Sequence, residues 1–201
     1  MGLLVLFLFL AITAAFFDYF PSDVFIANRI QGIDVAGFGG FVDFVNALGV
    51  AWVYVPVTVA LAVALIARNA WLEGGLMLGT FLARYVNTWV KDAVDRPRPS
   101  PDLIDVQATP GGFAFPSGHT VGTAVLFGLL FFVMPALVPS RPLRWLLQAG
   151  CLLLVAAAGP ARVYIGVHWP SDVLGGYVLA LLFLFPAFAA VLALPSRGKP
   201  R

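Results

Sequence analysis

Residues 117–138 read SGHTVGTAVLFGLLFFVMPALV, a run that is almost wholly apolar after its first four residues. About 20 apolar residues are enough to cross the roughly 30 Å hydrocarbon core of a bilayer as a helix. Two polar residues, Ser117 and His119, stand at the start of the run. The stretch therefore predicts a membrane-spanning helix with reactive side chains at one membrane face.

The composition of the whole chain agrees with a membrane protein. Its 201 residues are 61% hydrophobic and 11% charged, whereas globular chains carry about 25% charged residues. We therefore predict one all-α integral membrane domain over residues 1–201. A net charge of +2 gives no reason to expect a nucleic-acid partner. The single Cys151 is expected to pack in the core.

Five further stretches have a similar length and hydropathy, so the sequence predicts a bundle of six transmembrane helices. Helices are expected because the runs lack the alternation of barrel strands, and only helices or closed barrels satisfy their backbone hydrogen bonds in lipid. The six predicted spans are Leu3–Phe17, Leu48–Ala67, Trp71–Val90, Ser117–Val138, Leu143–Ala161 and Ser171–Leu194. Within the fifth span, Gly159-Pro160 is expected to bend or end the helix.

The distribution of cations predicts the orientation of the bundle. One side of the predicted bundle holds Arg68, Arg141, Arg144, Arg197, Lys199 and Arg201. The positive-inside rule assigns this side, and with it the C-terminus, to the cytoplasm. The opposite side begins with the loop 18–47, which has Arg29 as its only cation and is expected to lie along the membrane interface.

Three polar clusters interrupt the apolar sequence on this opposite side. They read KDAVDRPRP at 91–99, PSGH at 116–119 and RVYIGVHWPSD at 162–172. Because successive spans alternate in direction, the helix ends that carry these clusters meet at one membrane face. A single cluster is equally well explained as a solvated helix end, but three on one face favour a functional pocket.

The residue types of the clusters indicate a phosphate site. Ser117 is a favourable N-cap, and the free N–H groups of the following helical turn attract anions. Gly118 lets a phosphate approach the backbone. Lys91, Arg98 and Arg162 supply positive charge, and arginine grips phosphate oxygens in a bidentate fork.

The two histidines of the chain both lie in these clusters. His168 comes four residues before Asp172, and Pro170 between them suits the first turn of a helix. Asp172 is close enough to hydrogen-bond one ring nitrogen and leave the other as a nucleophile. His119 is placed to protonate a departing oxygen. Together with the cations, these residues predict phosphoryl transfer.

Arg84 and a group of acidic residues leave alternatives open. Arg84 lies two helical turns before Lys91, which places it about 10 Å deeper in the membrane. An ionisable residue inside a span is a functional candidate, but a structural pair with a neighbour such as Asn87 is the alternative. The acidic residues 92, 95, 102 and 105 have no histidine nearby, so no metal site is predicted.

The three clusters resemble the signature of the type 2 phosphatidic acid phosphatase family. That signature consists of Lys-x6-Arg-Pro, Pro-Ser-Gly-His and Ser-Arg-x5-His-x3-Asp segments. The match departs from it at one position, where Ala161 replaces the usual serine. The resemblance implies a six-helix membrane fold whose active site lies at the outer membrane–water interface.

The resemblance also implies roles for the site residues. His168 would be the nucleophile that forms a phosphohistidine, Asp172 its orienting partner and His119 the general acid. The phosphate would be held, without metal or cofactor, by Lys91, Arg98, Ser117, Gly118 and Arg162, with Arg84 as an auxiliary candidate.

We therefore expect a lipid phosphatase in the bacterial plasma membrane, with its active site on the outer, periplasmic side. The resemblance suggests undecaprenyl diphosphate, phosphatidylglycerol phosphate or phosphatidic acid as the substrate. The lipid bilayer that surrounds the protein is its other expected partner. One alternative is a lipid phosphotransferase that uses a second lipid as acceptor. Another is a transporter with an outer anion-binding vestibule, although the spans offer few polar residues for a path across the bilayer.

Overall fold

The computed structural model describes residues 1–193, which form eight α-helices and contain no β-strand. The helices are α1 Gly2–Phe16, α2 Pro21–Gln31, α3 Phe38–Leu48, α4 Ala51–Ala67, α5 Trp71–Val94, α6 Gly118–Leu137, α7 Arg141–Tyr164 and α8 Pro170–Leu192. The predicted all-α class is confirmed, and six of the helices coincide with the six predicted spans. Leu194, Arg197, Lys199 and Arg201 lie outside the described residues.

The loop predicted over residues 18–47 folds into the two short helices α2 and α3. The axes of α1 and α2 differ by 96°, and those of α3 and α4 by 63°. Pro21 at the start of α2 suits a helical first turn. Gly37, which precedes α3, adopts a φ of 81°, a value that side chains other than glycine disfavour.

Fewer helices qualify as membrane spans than the six that the sequence predicts. By length and hydropathy, α6, α7 and α8 qualify among the described residues, and the count rises to five if each bent pair is one span. Helix α5 is 24 residues long but carries Glu73, Arg84 and Asn87, which lower its hydropathy. The count of six spans therefore stays a prediction.

Helix α6 lies at the centre of the bundle and packs against α5, α7 and α8. Two glycines permit close packing here: a Cβ built on Gly128 would lie 2.8 Å from Leu184, and one on Gly176 would lie 3.0 Å from the carbonyl oxygen of Ser117. Small residues commonly allow such close packing between membrane helices. Cys151 is buried, as expected.

Of the bend or end predicted at Gly159-Pro160, the end is not observed, because α7 continues to Tyr164. Proline lacks an N–H, so the carbonyl of Ala156 loses its usual helical donor. The hydroxyl of Tyr177 on α8 lies 3.3 Å from that carbonyl and accepts a hydrogen bond of 3.0 Å from the N–H of Gly159. These contacts with Tyr177 help α7 to continue beyond Pro160.

Arg68 and Arg141, two of the cations predicted to face the cytoplasm, lie at one end of the bundle. Arg68, which follows α4, donates a hydrogen bond to the carbonyl of Leu137 at the end of α6. Arg141 begins α7 four residues later in the chain. Exposed tryptophans flank both ends, Trp71 and Trp145 near these arginines and Trp52 and Trp89 at the opposite end.

Candidate active site

The three polar clusters meet at the end of the bundle opposite Arg68 and Arg141. The N–H of Ser117 donates to the carbonyl of Asp172 at 3.0 Å. Arg98 Nη1 donates to the carbonyl of Val167 at 2.8 Å, and Lys91 Nζ donates to that of Ala114 at 3.0 Å. Hydrogen bonds to the backbone therefore tie residues from all three clusters into one site.

His168 is buried between a carboxylate and a cation. Its Nδ1 lies 3.5 Å from Asp172 Oδ2, and its Nε2 lies 3.4 Å from Arg98 Nη1. Because a guanidinium only donates hydrogen bonds, we assign the lone pair to Nε2 and the proton to Nδ1. The distance to Asp172 is longer than a good hydrogen bond, as is common in catalytic pairs without substrate.

The surroundings of His168 keep its ring neutral. Burial lowers the pKa of His168 well below its usual value, and the charges of Lys91, Arg162 and Arg98 lower it further. A neutral imidazole with a free Nε2 lone pair is the form that acts as a nucleophile.

Arg96 holds the carboxylate behind this histidine, a role that the sequence reasoning missed. Its side chain is fully buried, and its Nη1 donates to Asp172 Oδ1 at 2.6 Å. Its Nη2 donates to Asp23 Oδ2 at 3.2 Å. One guanidinium thus bridges two carboxylates, one from α2 and one from α8.

Two similar helix starts converge on Arg96. Helix α2 follows Phe20-Pro-Ser-Asp23, and α8 follows Trp169-Pro-Ser-Asp172. In each, the aspartate accepts the N–H of the aromatic residue, at 3.1 Å for Phe20 and 2.8 Å for Trp169. This repeated aromatic-Pro-Ser-Asp pattern is the sequence signal from which a role for Asp23 was open to prediction.

Ser117 occupies the predicted N-cap position of α6, but its hydroxyl does not cap the helix. It accepts a hydrogen bond of 2.9 Å from the hydroxyl of Thr120 instead. The N–H groups of the first turn have no intrahelical acceptor, so they are available to an anion. At Gly118, a Cβ would lie 3.0 Å from Asn87 Nδ2, which explains why a glycine fits here.

The three predicted cations surround this first turn without a carboxylate within ion-pair distance among the described residues. Arg98 is oriented by the carbonyls of Gly111 and Gly112. Arg162 is buried, and its Nη1 donates to Asn46 Oδ1 on α3 at 3.0 Å. Burial also lowers the pKa of Arg98 from its usual value. Cations that are oriented but not neutralised make a pocket for an anion.

His119 and Arg84 both contact the junction between α3 and α4. A Cβ built on Gly49 would lie 2.3 Å from the ring of His119. Arg84 Nη1 donates to the carbonyl of Gly49 at 3.3 Å, and its guanidinium lies 4.6 Å from the ring centroid of Tyr54. The suggested hydrogen bond between Arg84 and Asn87 is not seen. No motif in the sequence signals Asn46 or Gly49 as site residues.

Ala161, which replaces the usual serine, is buried beside Arg162. Its methyl group offers no hydrogen bond to a phosphate. The remaining residues place three cations and two imidazoles around the first turn of α6, an arrangement suited to binding an anion.

Comparisons with known proteins identify relatives of this chain. It is 32% identical over 123 residues to Phosphatidylglycerophosphatase B of Bacillus subtilis, an alignment that covers 59% of this chain and 57% of the relative. It is 26% identical over 149 residues to Undecaprenyl-diphosphatase of Sulfolobus acidocaldarius, covering 72% of this chain and 66% of the relative. The chain thus spans between half and two thirds of the length of these relatives.

The fold also has a counterpart among solved structures. A crystal structure of a transmembrane PAP2 type phosphatidylglycerolphosphate phosphatase from Bacillus subtilis superimposes with a TM-score of 0.81, at 24% identity and 98% coverage of both chains. The model of the PAP2 superfamily matches residues 73–195, a region that contains all three motifs. The chain therefore belongs to the PAP2 superfamily, the family that its three motifs indicated.

Proposed function

We propose that this protein is a membrane lipid phosphatase that removes a terminal phosphate through a phosphohistidine intermediate. One observation carries the proposal. The Nε2 atom of the buried, neutral His168 lies 3.4 Å from Arg98 Nη1, at a helix start surrounded by cations. A phosphate held by those cations would have its phosphorus next to this nitrogen.

In the first step, the lone pair of His168 Nε2 attacks the phosphorus and forms a P–N bond. The bond between phosphorus and the lipid oxygen breaks, and its electron pair stays on that oxygen. His119 enters this step as an imidazolium, protonated in the complex with the phosphate dianion, and donates one proton to the departing oxygen, so the lipid leaves as an alcohol or, from a diphosphate, as a lipid phosphate. Lys91, Arg98, Arg162 and the first turn of α6 stabilise the charge on the phosphoryl oxygens.

In the second step, water attacks the phosphorus from the side that the lipid has left. His119, now neutral, takes a proton from this water, and the P–N bond breaks with its electron pair returning to Nε2. Inorganic phosphate is released and both histidines regain their starting states. The protein supplies every proton transfer from its own side chains, so the proposed reaction needs neither metal nor cofactor.

Asp172 and Arg96 support the nucleophile without contacting the substrate. Asp172 stabilises the positive charge that His168 gains when Nε2 bonds to phosphorus. Arg96 fixes the other carboxylate oxygen of Asp172, and Asp23 holds Arg96 from the opposite side. We propose Arg96 and Asp23 as positioning residues, because they reach the reacting atoms only through Asp172.

The proposed substrate is a lipid phosphate or diphosphate. The names of the relatives support phosphatidylglycerol phosphate and undecaprenyl diphosphate as candidates, and phosphatidic acid offers the same terminal phosphate. A direct test measures phosphate release from all three lipids in detergent, with a chelator and without a lipid acceptor. Release under these conditions supports a metal-independent hydrolase. A strict requirement for a second lipid would instead establish a phosphotransferase, and a requirement for metal would overturn the mechanism.

We further propose that the site faces the outside of the bacterial plasma membrane, with the C-terminus in the cytoplasm. The arginines at the opposite end of the bundle support this orientation through the positive-inside rule. The variants Asp102→Cys and Ser140→Cys, both at exposed positions, test it in a Cys151→Ala background. An impermeant thiol reagent should label the first and spare the second in intact cells. Reversed labelling would put the site in the cytoplasm.

A further inference from the structure

Arg84 belongs to a polar stripe on α5 that extends the site deeper into the bundle. Arg84, Asn87 and Lys91 are spaced by three and four residues, so they share one face of the helix. This face meets two glycines of α6. A Cβ on Gly118 would lie 3.0 Å from Asn87 Nδ2, and one on Gly122 would lie 2.5 Å from Arg84 Nη1. The polar surface therefore continues one helical turn below the proposed phosphate site.

The same stripe places Arg84 on the side of the departing oxygen. Gly49 lies against both residues, since its carbonyl accepts from Arg84 Nη1 at 3.3 Å and a Cβ built on it would lie 2.3 Å from the ring of His119. In an in-line displacement, the leaving group lies opposite the nucleophile. His119 is the proposed donor to that leaving group, so Arg84 lies next to the leaving group rather than next to His168.

The polar groups around Arg84 are only partly paired. No carboxylate lies within ion-pair distance of Arg84 among the described residues. Asn87 Oδ1 is buried without a hydrogen-bond partner. The hydroxyl of Tyr54, whose ring lies beneath the guanidinium, is also buried and makes no hydrogen bond of good geometry, and its polar neighbours are the side chains of Thr80 and Thr58. An arginine at this depth usually pairs with another group or marks a functional site. An anion would satisfy both Arg84 and the Tyr54 hydroxyl.

The charges of the site indicate that an anion at Arg84 would be different from the terminal phosphate that Lys91, Arg98 and Arg162 bind. A phosphate ester carries a charge of about −1.5 to −2 near pH 7. Lys91, Arg98 and Arg162 already face it with three cationic side chains. Arg84 is a fourth cation, located deeper and toward the leaving group, so a second negative group on the leaving group is its best complement.

We propose that Arg84 and Tyr54 form a subsite for a second phosphate that the leaving group carries. The inference rests on the proposed phosphatase function and names the substrate class. That class consists of lipids in which another phosphate follows the terminal one, either directly, as in a polyprenyl diphosphate, or across a glycerol, as in phosphatidylglycerol phosphate. Lipid monophosphates would leave the subsite without its anion.

Two matched substrate pairs test the subsite. The first pair is farnesyl diphosphate and farnesyl phosphate, and the second is phosphatidylglycerol phosphate and phosphatidic acid with identical acyl chains. Within a pair, the ratio of kcat/KM values reports the second phosphate. Loss of one charge-assisted hydrogen bond is expected to lower this ratio by about tenfold to a hundredfold in Arg84→Gln, and less in Arg84→Lys, which keeps the charge.

The control is Arg141→Gln, an exposed arginine at the opposite end of the bundle, which should change neither ratio. A fall of the ratio in the farnesyl pair would mean that the subsite binds the inner phosphate of a diphosphate. A fall in the glycerolipid pair would mean that it binds the phosphate on the far side of the glycerol. Unchanged ratios in both pairs for Arg84→Gln would overturn the subsite while leaving the phosphatase intact. Wild-type protein that releases phosphate from none of the four lipids would remove the proposed function and the subsite with it.

A second variant keeps the test valid if Arg84→Gln does not fold. Tyr54→Phe removes only the hydroxyl from a fully buried ring, so folding is expected to be retained. A neutral hydrogen bond is worth less than a charged one, and the ratio should fall by about twofold to tenfold. An unchanged ratio in Tyr54→Phe would overturn the proposal in that case.

Discussion

Arg96 Nη1 donates to Asp172 Oδ1 at 2.6 Å, while the other oxygen of the same carboxylate lies 3.5 Å from His168 Nδ1. The two oxygens of Asp172 therefore serve different partners. The bond to Arg96 fixes the plane of the carboxylate, and that plane sets the direction from which the imidazole is held. Through Asp172, Arg96, which occupies an unspecified position of the Lys-x6-Arg-Pro segment, orients the proposed nucleophile.

The first prediction concerns Arg96. Arg96→Lys keeps the charge but cannot bond Asp172 and Asp23 at once with the same fork geometry. We expect kcat to fall by at least about tenfold with little change in KM, because substrate contacts are untouched. We also expect a lower unfolding temperature, since breaking a buried ion pair costs about 3–5 kcal/mol.

Kinetics on short-chain phosphatidic acid in detergent, together with thermal unfolding followed by circular dichroism, measure both effects. Arg29→Lys is the matched control, because Arg29 is exposed on α2. A kcat for Arg96→Lys within twofold of wild type would show that Asp172 needs no such support.

The second prediction concerns Asp23. Its carboxylate accepts from the N–H of Ser171 at 2.8 Å, from the hydroxyl of Ser171 at 2.7 Å and from Arg96. Asp23→Asn keeps an acceptor but loses the charge opposite Arg96. We expect a smaller loss of kcat than for Arg96→Lys and a clear loss of thermal stability. Asp43→Asn, at an exposed position on α3, is the control and should have neither effect. If Asp23→Asn changed kcat and thermal stability no more than Asp43→Asn does, the positioning role of Asp23 would be refuted.

The third prediction concerns pH. Because burial lowers the pKa of His168 in the folded protein, the unfolded chain binds a proton at this residue below pH of about 6.5 and the folded protein does not. Stability should therefore fall as the pH drops below that value. In wild-type protein the ring itself should stay neutral at pH 5.5.

The chain has two histidines, so His119→Asn leaves His168 as the only one. Its ring signals, followed by NMR on isotope-labelled protein in phosphate-free detergent, should not titrate between pH 7.5 and 5.5. A midpoint near the ordinary histidine value would contradict the neutral nucleophile.

The fourth prediction separates the two histidines by substrate. General-acid help matters most for a basic alkoxide leaving group and least for a phenolate, and typically contributes about 10²–10⁴-fold. His119→Ala should therefore slow hydrolysis of phosphatidic acid far more than that of p-nitrophenyl phosphate. His168→Ala should slow both alike. Equal losses on both substrates for His119→Ala would assign it to phosphate binding or packing.

The sequence predicted the long helices and the meeting of the three clusters well, for a physical reason. Helices in lipid satisfy their own backbone hydrogen bonds, so hydropathy alone marks their positions. Alternating direction then brings the ends near Lys91, Ser117 and His168 together. The same reasoning left open whether α7 bends or ends at Pro160, because it had no means to foresee the hydrogen bonds that Tyr177 makes around this proline.

The supporting residues were harder to predict, because they depend on contacts between distant segments. Asp23 reaches Arg96 across 73 positions in the chain, and Asn46 reaches Arg162 across 116. Hydropathy treats the region that contains Asp23 and Asn46 as a loop. The repeated aromatic-Pro-Ser-Asp pattern that Asp23 shares with Asp172 is a signal that hydropathy does not capture, and nothing comparable marks Asn46.

The covalent intermediate is the central claim, and trapping it tests the claim most directly. Protein mixed with terminally ³²P-labelled lipid should be quenched within the first turnover under alkaline conditions, which preserve phosphohistidine, and then digested and analysed by mass spectrometry. We predict a single labelled site, Nε2 of His168, with more label in Asp172→Asn if hydrolysis of the intermediate is slowed more than its formation, and no label or turnover in His168→Ala. Turnover by His168→Ala, or label on any other residue, would contradict the account.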